Sequence, residues 1–285
     1  MPLVPMTAFL PRAKAEGFAV GQFNMNNLEF TQAIIEAAEE EKSPLIFGAS
    51  EGAIKYMGGP DVVVALAKVF ADRAGVPVAL HLDHGSSFDM VMKCIRAGFT
   101  SVMIDGSHLP LDENIALTKK VVEAAHAVGV SVEAELGKIG GTEDDLSVDE
   151  EDAMLADPDE AIRFWEETRV DALALAVGTA HGLYKGKPNI RFHIIEKVAQ
   201  NIEAPIVLHG GSGVPDEQIR QAIRLGVGKI NVNTENQVAC TETVRKILAE
   251  KPSLYDPRKY LGPAREAMKE VVKQKMRLFG SSGKA

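Results

Sequence analysis

Eight short apolar segments alternate with eight longer segments of helical periodicity along this 285-residue chain. The short segments are rich in small and β-branched residues, as expected of strands buried on both faces. They span residues 19–24, 44–48, 76–83, 101–105, 131–136, 171–177, 205–209 and 229–233. Helices are predicted at residues 28–42, 62–73, 88–96, 115–127, 159–168, 191–201, 216–225 and 235–249. Eight such units predict an α/β fold of the (β/α)8 type, a TIM barrel.

The remaining segments extend this barrel at both ends. We predict an N-terminal helix at 7–16 and a C-terminal helical extension at 263–278. A doubly wound open sheet is the alternative, but it usually needs fewer strands, and no glycine-rich dinucleotide fingerprint follows the first strand. No linker divides the chain, so we expect a single TIM-barrel domain over residues 1–285. The acidic stretch 137–159 is the one irregular segment, and we expect it to be mobile.

Charge and composition exclude several classes of partner. The formal net charge of −9 argues against nucleic acid, because binding to phosphate backbones needs a basic face. The first residues lack the apolar core of a signal peptide, and no segment approaches the roughly 20 apolar residues of a membrane helix. Cys94 and Cys240 are isolated, so we expect no disulfide. The chain is expected to be cytoplasmic, with no membrane partner.

Three histidines share one position relative to the predicted strands. His84 in VALHLDHG, His181 in ALAVGTAHG and His209 in PIVLHGGSG each follow an apolar run and precede a glycine. The carboxyl ends of all barrel strands meet at one mouth, so the three side chains can converge there. Three imidazoles with an open fourth position are a common ligand set for catalytic zinc. A hydrogen-bonded core histidine is the alternative for any one of them, but it does not account for the shared position.

Carboxylates accompany these histidines at the strand ends. Asp83 points to the same side as His81 in a strand of period two, and we interpret it as a general acid or base beside the metal. Orienting an imidazole is its alternative role, and His81 itself is interpreted as structural. Asp105 and Glu135 end the next two strands. Each could bind the metal itself or hold a metal-binding side chain in place, and the sequence favours neither role.

A phosphate site is predicted after the last two strands. HGGSG at 209–213 and NVNT at 231–234 occupy the usual phosphate-binding position of such barrels. Glycines let backbone N–H groups approach an anion, and Ser212 adds a hydroxyl donor.

The placement of lysines bears on the chemistry. A Schiff-base enzyme needs a buried lysine inside the barrel. We expect none, because Lys229 begins the eighth predicted strand at the end away from the mouth. Imine chemistry is therefore not expected, and a metal is expected to act as the electron sink.

Several ordered motifs carry a resemblance to one enzyme family. HLDHG, ELGKIGGTED, GTAHGLYKG, HGGSG and KINVNTEN are similar to the class II, metal-dependent fructose-bisphosphate aldolases. The match runs over essentially the whole chain and is closest to the short bacterial form, which includes tagatose-bisphosphate aldolases. It implies reversible aldol cleavage of fructose 1,6-bisphosphate to dihydroxyacetone phosphate and glyceraldehyde 3-phosphate in glycolysis and gluconeogenesis, with zinc stabilising the enediolate.

The resemblance also implies a role for each matching residue. His84, His181 and His209 would hold zinc, and Asp105 and Glu135 would form an alternative or second metal site. The catalytic residues would be Asp83, acting on the C4 hydroxyl, and Glu143, moving the proton at C1 of dihydroxyacetone phosphate. The substrate-binding residues would be Asn24, Ser50, Gly182, Lys185, Gly210, Gly211, Ser212, Asn231, Val232, Asn233, Thr234 and Arg258.

Two further expectations rest on the same resemblance. Arg258 in YDPRKY is similar to the arginine that reaches a neighbouring subunit's site to hold the second phosphate, which implies a homodimer or homotetramer. A solvated basic residue is the alternative for Arg258. A monovalent cation, Na⁺ or K⁺, near the phosphate loops is also typical of the family.

Two other functions remain open at this point. A tagatose-bisphosphate aldolase would differ in the configuration at C4, and Asn233 favours the fructose enzyme by resemblance alone. A catalytically dead barrel that binds a sugar phosphate is the other alternative. The intact set of Asp83, Glu143 and the three histidines argues against it.

Overall fold

The predicted barrel is confirmed. The computed structural model describes residues 2–143, 146–148, 154–182, 184, 186 and 188–285, with backbone alone for 142–143 and 146–148. Within that part of the chain, eight parallel strands close into a barrel, each beside its predecessor and the last beside the first. These strands are β1 (Val20–Asn24), β2 (Leu45–Ser50), β3 (Val78–Gly85), β4 (Ser101–Ile104), β5 (Ser131–Leu136), β8 (Ala172–Leu175), β10 (Ile206–Leu208) and β11 (Val227–Val232).

Helices surround the strands, and some of them begin at a residue whose side chain caps the first turn. The α-helices are α1 (Leu10–Glu16), α2 (Leu28–Glu41), α3 (Glu51–Met57), α4 (Pro60–Ala71), α5 (Phe88–Ala97), α6 (Leu111–His126), α7 (Pro158–Thr168), α8 (Phe192–Asn201), α9 (Asp216–Arg224), α10 (Thr234–Glu250) and α11 (Arg258–Phe279). The side chain of Asn27 accepts a hydrogen bond from the N–H of Phe30 at the start of α2, as predicted. None of the described helices has the length and apolar composition that crossing a membrane requires.

The amino-terminal segment closes one end of the barrel. A short 3-10 helix (Met6–Ala8) and α1 pack their apolar side chains against inward-facing residues such as Val20 and Ile46. The N–H of Met6 donates to the Oγ of Ser131 inside the barrel at 3.0 Å. This plug excludes water from the amino ends of the strands, so a ligand has access to the barrel interior from the opposite end, the mouth.

The prediction of an irregular insert at 137–159 is wrong in part. Within it, β6 (Gly140–Glu143) and β7 (Leu146–Val148) form an antiparallel pair. β6 also pairs in parallel with a short strand, β9 (Ala180–His181). Polar, glycine-rich strands of three or four residues carry no alternation from which they can be predicted.

Two helices also differ from prediction. Helix α3 follows β2 directly and was not expected, because its GAIKYM sequence is too short to show a period. Helix α11 begins at Arg258, five residues before the predicted start, and accommodates Pro263 in its interior.

The expectation that no strand carries a buried lysine is wrong. Strand β11 begins at Val227, and Lys229 is its third residue, with none of its surface exposed to solvent. The pairing of Val20 with Lys229 sets it level with the first residue of β1. Lys229 therefore belongs to the interior of the barrel.

Candidate functional site

The three predicted histidines meet at the mouth. The ring centroid of His84 lies 4.7 Å from that of His209 and 5.1 Å from that of His181. One nitrogen from each ring lies within 4.8 Å of those of the other two, as required of a shared metal site. His84 is the second-last residue of β3 and His209 directly follows β10, but His181 lies on the additional strand β9 beyond the end of β8. The position of His181 therefore depends on pairing with β6 in the insert.

Hydrogen bonds assign the ring nitrogens of two histidines. The Nδ1–H of His84 donates to Asp105 at 2.8 Å, and the Nε2–H of His209 donates to Glu133 at 2.9 Å. In neutral rings the other nitrogens then carry lone pairs. These nitrogens, His84 Nε2 and His209 Nδ1, face each other at 3.0 Å. Two facing lone pairs repel each other, so the contact needs a shared cation: a proton on His84 Nε2, or a metal ion that replaces it and binds both nitrogens.

Two carboxylates form a second ligand group with His84. Asp105 and Glu135 each place an oxygen within 4.8 Å of the other ligand atoms in this group. Burial raises the pKa of Glu135 well above its ordinary value, and the charge of Asp105 adds to this effect. Burial alone would raise the pKa of Asp105 too, but its hydrogen bond with His84 holds that pKa well below the usual range. A cation bound here would offset the repulsion between the two carboxylates.

The pKa values of the imidazoles follow from burial and from the adjacent carboxylates. Burial lowers the pKa of His181 and His209 well below the ordinary value, and positive charge on His84 lowers both further. Burial also acts to lower the pKa of His84, but the hydrogen bond to Asp105 and the charge of Asp83 outweigh it. The pKa of His84 is therefore raised well above its usual value. Two of the three rings are thus neutral, the form that ligates metals.

Asp83 is held by donors from two neighbouring strands. The amide Nδ2 of Asn231 on β11 donates to Asp83 at 3.3 Å, and Gln22 Nε2 on β1 donates at 2.7 Å. Asp83 is 1% exposed. A Cβ at Gly48 would collide with the Gln22 amide, so that glycine leaves room for this donor. The carboxylate is therefore held in one orientation beside the histidines.

A layer of charged residues below the histidines was not predicted. Glu133 on β5 and Lys229 on β11 are both fully buried, with Lys229 Nζ 2.8 Å from Glu133 Oε2. In the same layer, His81 Nδ1 is hydrogen-bonded to the Oγ of Ser101 at 2.7 Å. Burial lowers the pKa of the His81 imidazole well below its ordinary value. A signal was present in the sequence, because Glu133 and Lys229 each lie two residues before a predicted site residue. Period two places such pairs on one face of a strand.

The predicted phosphate residues line a small cleft beside His181. Its lining residues are His181, Gly182, Gly210, Ser212, Asn231, Asn233 and Thr234. Gly210 has φ of 64°, and a Cβ there would collide with the carbonyl of Ala180. The 17-residue helix α10 begins at Thr234, so its unpaired N–H groups start at the cleft. The cleft is therefore suited to an anion.

Two unpredicted side chains support the cleft. The hydroxyl of Tyr184 accepts from the N–H of Ala180 at 2.9 Å and donates to the carbonyl of Gly210 at 2.8 Å, which ties β9 to the glycine-rich loop. Burial raises the pKa of this hydroxyl to about 12, so it remains protonated. On the other side of the loop, Glu235 accepts from the N–H of Gly213 and from Lys275.

The remaining predicted residues differ in their placement. Asn24 and Ser50 are buried at the ends of β1 and β2, and Ser50 also caps α3. Arg258 is exposed at the start of α11, where Asp256 is its partner, and it does not enter the mouth of its own chain. Glu143 ends β6, but its side chain lies outside the described part of the chain, as does Lys185.

A larger cavity of about 650 Å³ adjoins the mouth. It meets the phosphate cleft at Asn26, whose amide donates to Asn233 at 3.3 Å. The described residues that line it are Asn26, Asn27, Phe30, Gly52, Ala53, Tyr56, Gln237, Cys240 and Thr241. These residues are a mixture of polar and apolar side chains, and none of them is cationic.

Comparison with known proteins identifies relatives over the full chain. Residues 4–284 match the family Fructose-bisphosphate aldolase class-II. The chain is 59% identical to a protein of Bacillus subtilis (strain 168) named probable fructose-bisphosphate aldolase, with 100% of both chains covered. It is 56% identical to the fructose-bisphosphate aldolase of Geobacillus stearothermophilus, covering 100% of this chain and 99% of the other. The crystal structure of the YdjI aldolase from Escherichia coli K12 is similar with a TM-score of 0.87 and 35% identity, over 99% of both chains.

Proposed function

This chain belongs to the class II fructose-bisphosphate aldolase family, and on that premise we propose that it cleaves fructose 1,6-bisphosphate reversibly to dihydroxyacetone phosphate and glyceraldehyde 3-phosphate. It is an enzyme of the aldehyde-lyase class, and its family depends on a metal ion. The observation that carries the proposal is the convergence of three imidazoles, a buried acid–base candidate and an anion cleft at one barrel mouth.

We propose zinc as the metal, with His84, His181 and His209 as its ligands. The donor set fits, because His84 Nε2 and His209 Nδ1 lie 3.0 Å apart and can both ligate one ion once His84 gives up its proton. Asp105 and Glu135, with His84, offer an alternative or second position. A bound zinc ion would supply a Lewis acid that stabilises negative charge on the substrate's carbonyl oxygen as the C3–C4 bond breaks.

The residues of this chain carry out the proton transfers and the binding in this proposal. Asp83 takes the proton of the C4 hydroxyl as the C3–C4 bond breaks and the aldehyde forms. The amide of Asn231 donates toward the oxygen on which negative charge develops. Glu143 then supplies a proton to the carbon that becomes C1 of dihydroxyacetone phosphate. Gly210, Ser212 and the start of α10 hold the phosphate of that product.

The second phosphate requires a positive group to bind it. The cavity of about 650 Å³ next to Ser50 has no cationic residue among its described lining. Arg258 is 88% exposed by side chain on its own subunit, in a position to leave Asp256 for another acceptor. We propose that Arg258 of a second copy binds this phosphate, which makes the enzyme a homodimer or homotetramer.

Residues 1–285 form one catalytic domain that acts in the cytoplasm. A monovalent cation, Na⁺ or K⁺, binds near the phosphate loops, and Lys185 adds positive charge there. Replacing both ions in the buffer by tetramethylammonium tests the cation, because activity should fall and return with K⁺ or Na⁺.

Substrate preference provides the test of the proposed reaction. We expect kcat/KM to be at least about tenfold higher for fructose 1,6-bisphosphate than for tagatose 1,6-bisphosphate, since a C4 epimer misplaces the hydroxyl that Asp83 must reach. Asn233, 8% exposed at the cleft, is the residue expected to contribute to this choice. Equal rates, or a preference for tagatose, would contradict the proposal, and no cleavage of either sugar would refute aldolase activity.

A further inference from the structure

Lys229 lies in the barrel interior and contacts two residues that support the candidate site, Glu133 and Asn231. Its ammonium group is fully buried, 2.8 Å from Glu133 Oε2 and 2.8 Å from Asn231 Oδ1. Each contact leads to a different functional group, because Asn231 donates to Asp83 and Glu133 accepts from His209. The lysine thus lies between the acid–base residue and a metal-ligand candidate without touching the mouth itself.

The first contact determines which way the Asn231 amide faces. An ammonium group only donates hydrogen bonds, so the amide oxygen of Asn231 must point toward Lys229. The amide NH₂ then points toward Asp83, where Nδ2 lies 3.3 Å from Oδ1. With the amide flipped, two donors would face each other at 2.8 Å and two acceptors would face each other at Asp83. The charge on Lys229 therefore makes Asn231 a donor toward the reacting centre.

The second contact concerns the nitrogen that His209 offers to a metal. Glu133 Oε1 accepts from His209 Nε2–H, which leaves the lone pair on Nδ1, the atom that faces His84. A fully buried carboxylate without a counter-charge is costly, and Lys229 supplies that counter-charge. Hydrogen-bonded carboxylates of this kind fix the tautomer and the ring orientation of metal-binding histidines.

We propose that Lys229 is a positioning residue that orients Asn231 directly and His209 through Glu133, so that one buried ammonium aligns both the proton-transfer side and the metal side of the site. The proposal rests on the proposed aldolase function for its catalytic consequence. Its structural consequence, the geometry of the metal site, is independent of which substrate the enzyme uses.

Lys229→Met tests the proposal, because methionine keeps the length of the side chain and removes its charge. Cobalt(II) serves as the metal probe in the zinc-stripped full-length protein. We expect a changed visible spectrum of the cobalt protein, a loss of metal affinity of about 10- to 100-fold, and a fall in kcat of at least about tenfold. KM should change less than kcat, because Asn231 is only one of several residues that line the phosphate cleft.

Lys14→Met is the matched control. Lys14 is partly buried, whereas Lys229 is fully buried. The Nζ of Lys14 donates to backbone carbonyls at the end of α8, remote from the mouth, and lies 2.6 Å from the carbonyl oxygen of Ile202. This variant should lose thermal stability while its cobalt spectrum, metal affinity and kcat stay unchanged. A Lys229→Met protein that behaves like Lys14→Met in all three measurements would overturn the proposal.

The double variant Lys229→Met with Glu133→Gln covers the case in which the single variant does not fold. It removes both buried charges together, which avoids an unpaired carboxylate. We expect it to fold with an altered cobalt spectrum and a reduced kcat, and wild-type values for both would overturn the proposal. If the wild-type enzyme cleaves no sugar bisphosphate, the aldolase function fails, whereas the cobalt measurements still decide the role of Lys229.

Discussion

Asp83 and His84 are consecutive residues, yet both side chains enter the mouth of the barrel. In a regular strand they would point to opposite faces. The backbone of His84 has φ of 48°, in the left-handed region, and the register with β4 skips between Leu82 and Gly85. This irregularity is a β-bulge, which redirects one side chain without ending the strand. The acid–base candidate and a metal-ligand candidate therefore come from one dipeptide.

Gly85→Ala should disturb this bulge. A Cβ at Gly85 would collide with the carbonyl of Met103 and the side chain of Leu82, so the backbone beside His84 must shift. We expect metal affinity to fall by at least about tenfold, measured by titration against a chromophoric chelator. Gly75→Ala is the control, because nothing lies within 4 Å of its added Cβ. Unchanged metal affinity in Gly85→Ala would show that the bulge does not set the position of His84.

Metal removal should abolish activity. Dialysis against EDTA is expected to reduce aldol cleavage to background, and stoichiometric zinc should restore it, because the three imidazoles hold the only electron sink in the proposed reaction. Borohydride in the presence of substrate should leave activity intact, although Lys229 is buried in the barrel. Its ammonium is ion-paired with Glu133 and does not reach the mouth. Inactivation by borohydride with substrate would indicate an imine instead.

Asp83 and His209 should separate catalysis from metal binding. Asp83→Ala is expected to keep its metal and to lose about 10²- to 10⁴-fold in kcat, the usual contribution of a general acid–base. His209→Ala should lose metal affinity itself, by at least about 100-fold, since it removes a ligand. Metal content by atomic absorption and kcat are the two measurements. If Asp83→Ala is isolated without metal, its role is to support the site rather than to transfer protons.

The phosphate cleft is tested at Gly210. Gly210→Ala combines a left-handed φ of 64° with a clash against the Ala180 carbonyl. We expect KM for fructose 1,6-bisphosphate to rise by about tenfold, equivalent to the loss of about one good hydrogen bond. Gly17→Ala has a similar φ of 71° with nothing within 4 Å, so it should cost about 1 kcal/mol of stability and leave KM unchanged. Equal KM in the two variants would contradict the assignment of the cleft.

Metal loading should depend on pH through His84. The pKa of its imidazole is raised above the ordinary value, so the metal-free site holds a proton that a metal must displace. Below that pKa, apparent affinity should fall about tenfold per pH unit. Asp105→Asn removes the hydrogen bond that raises the pKa, so the pH at which loading falls should move downward. Competition titrations at several pH values measure the pH at which metal loading is half lost. The same midpoint in the wild type and in Asp105→Asn would contradict this prediction.

Much of the site was predictable because chemistry in a barrel collects at the strand ends. Periodicity alone predicted the eight strands, and their order determined that His84 and His209 would share a mouth. The motifs HGGSG and NVNT then marked the phosphate cleft, since their place after the last two strands is a property of chain order. These features are local in sequence, and in a barrel the order of the strands alone places them near one another.

Other features depended on contacts between distant segments. His181 reaches the metal-site candidate through the pairing of β9 with β6, and Asp83 and His84 share the mouth through a bulge. Lys229 was expected at the end of its strand away from the mouth, because that strand was predicted to begin at Lys229 rather than at Val227. The sequence by itself determined the kinds of groups at each strand end. Only the tertiary structure decided which face each one joins, because strand registers and bulges are set by packing against neighbours that lie far away in the chain.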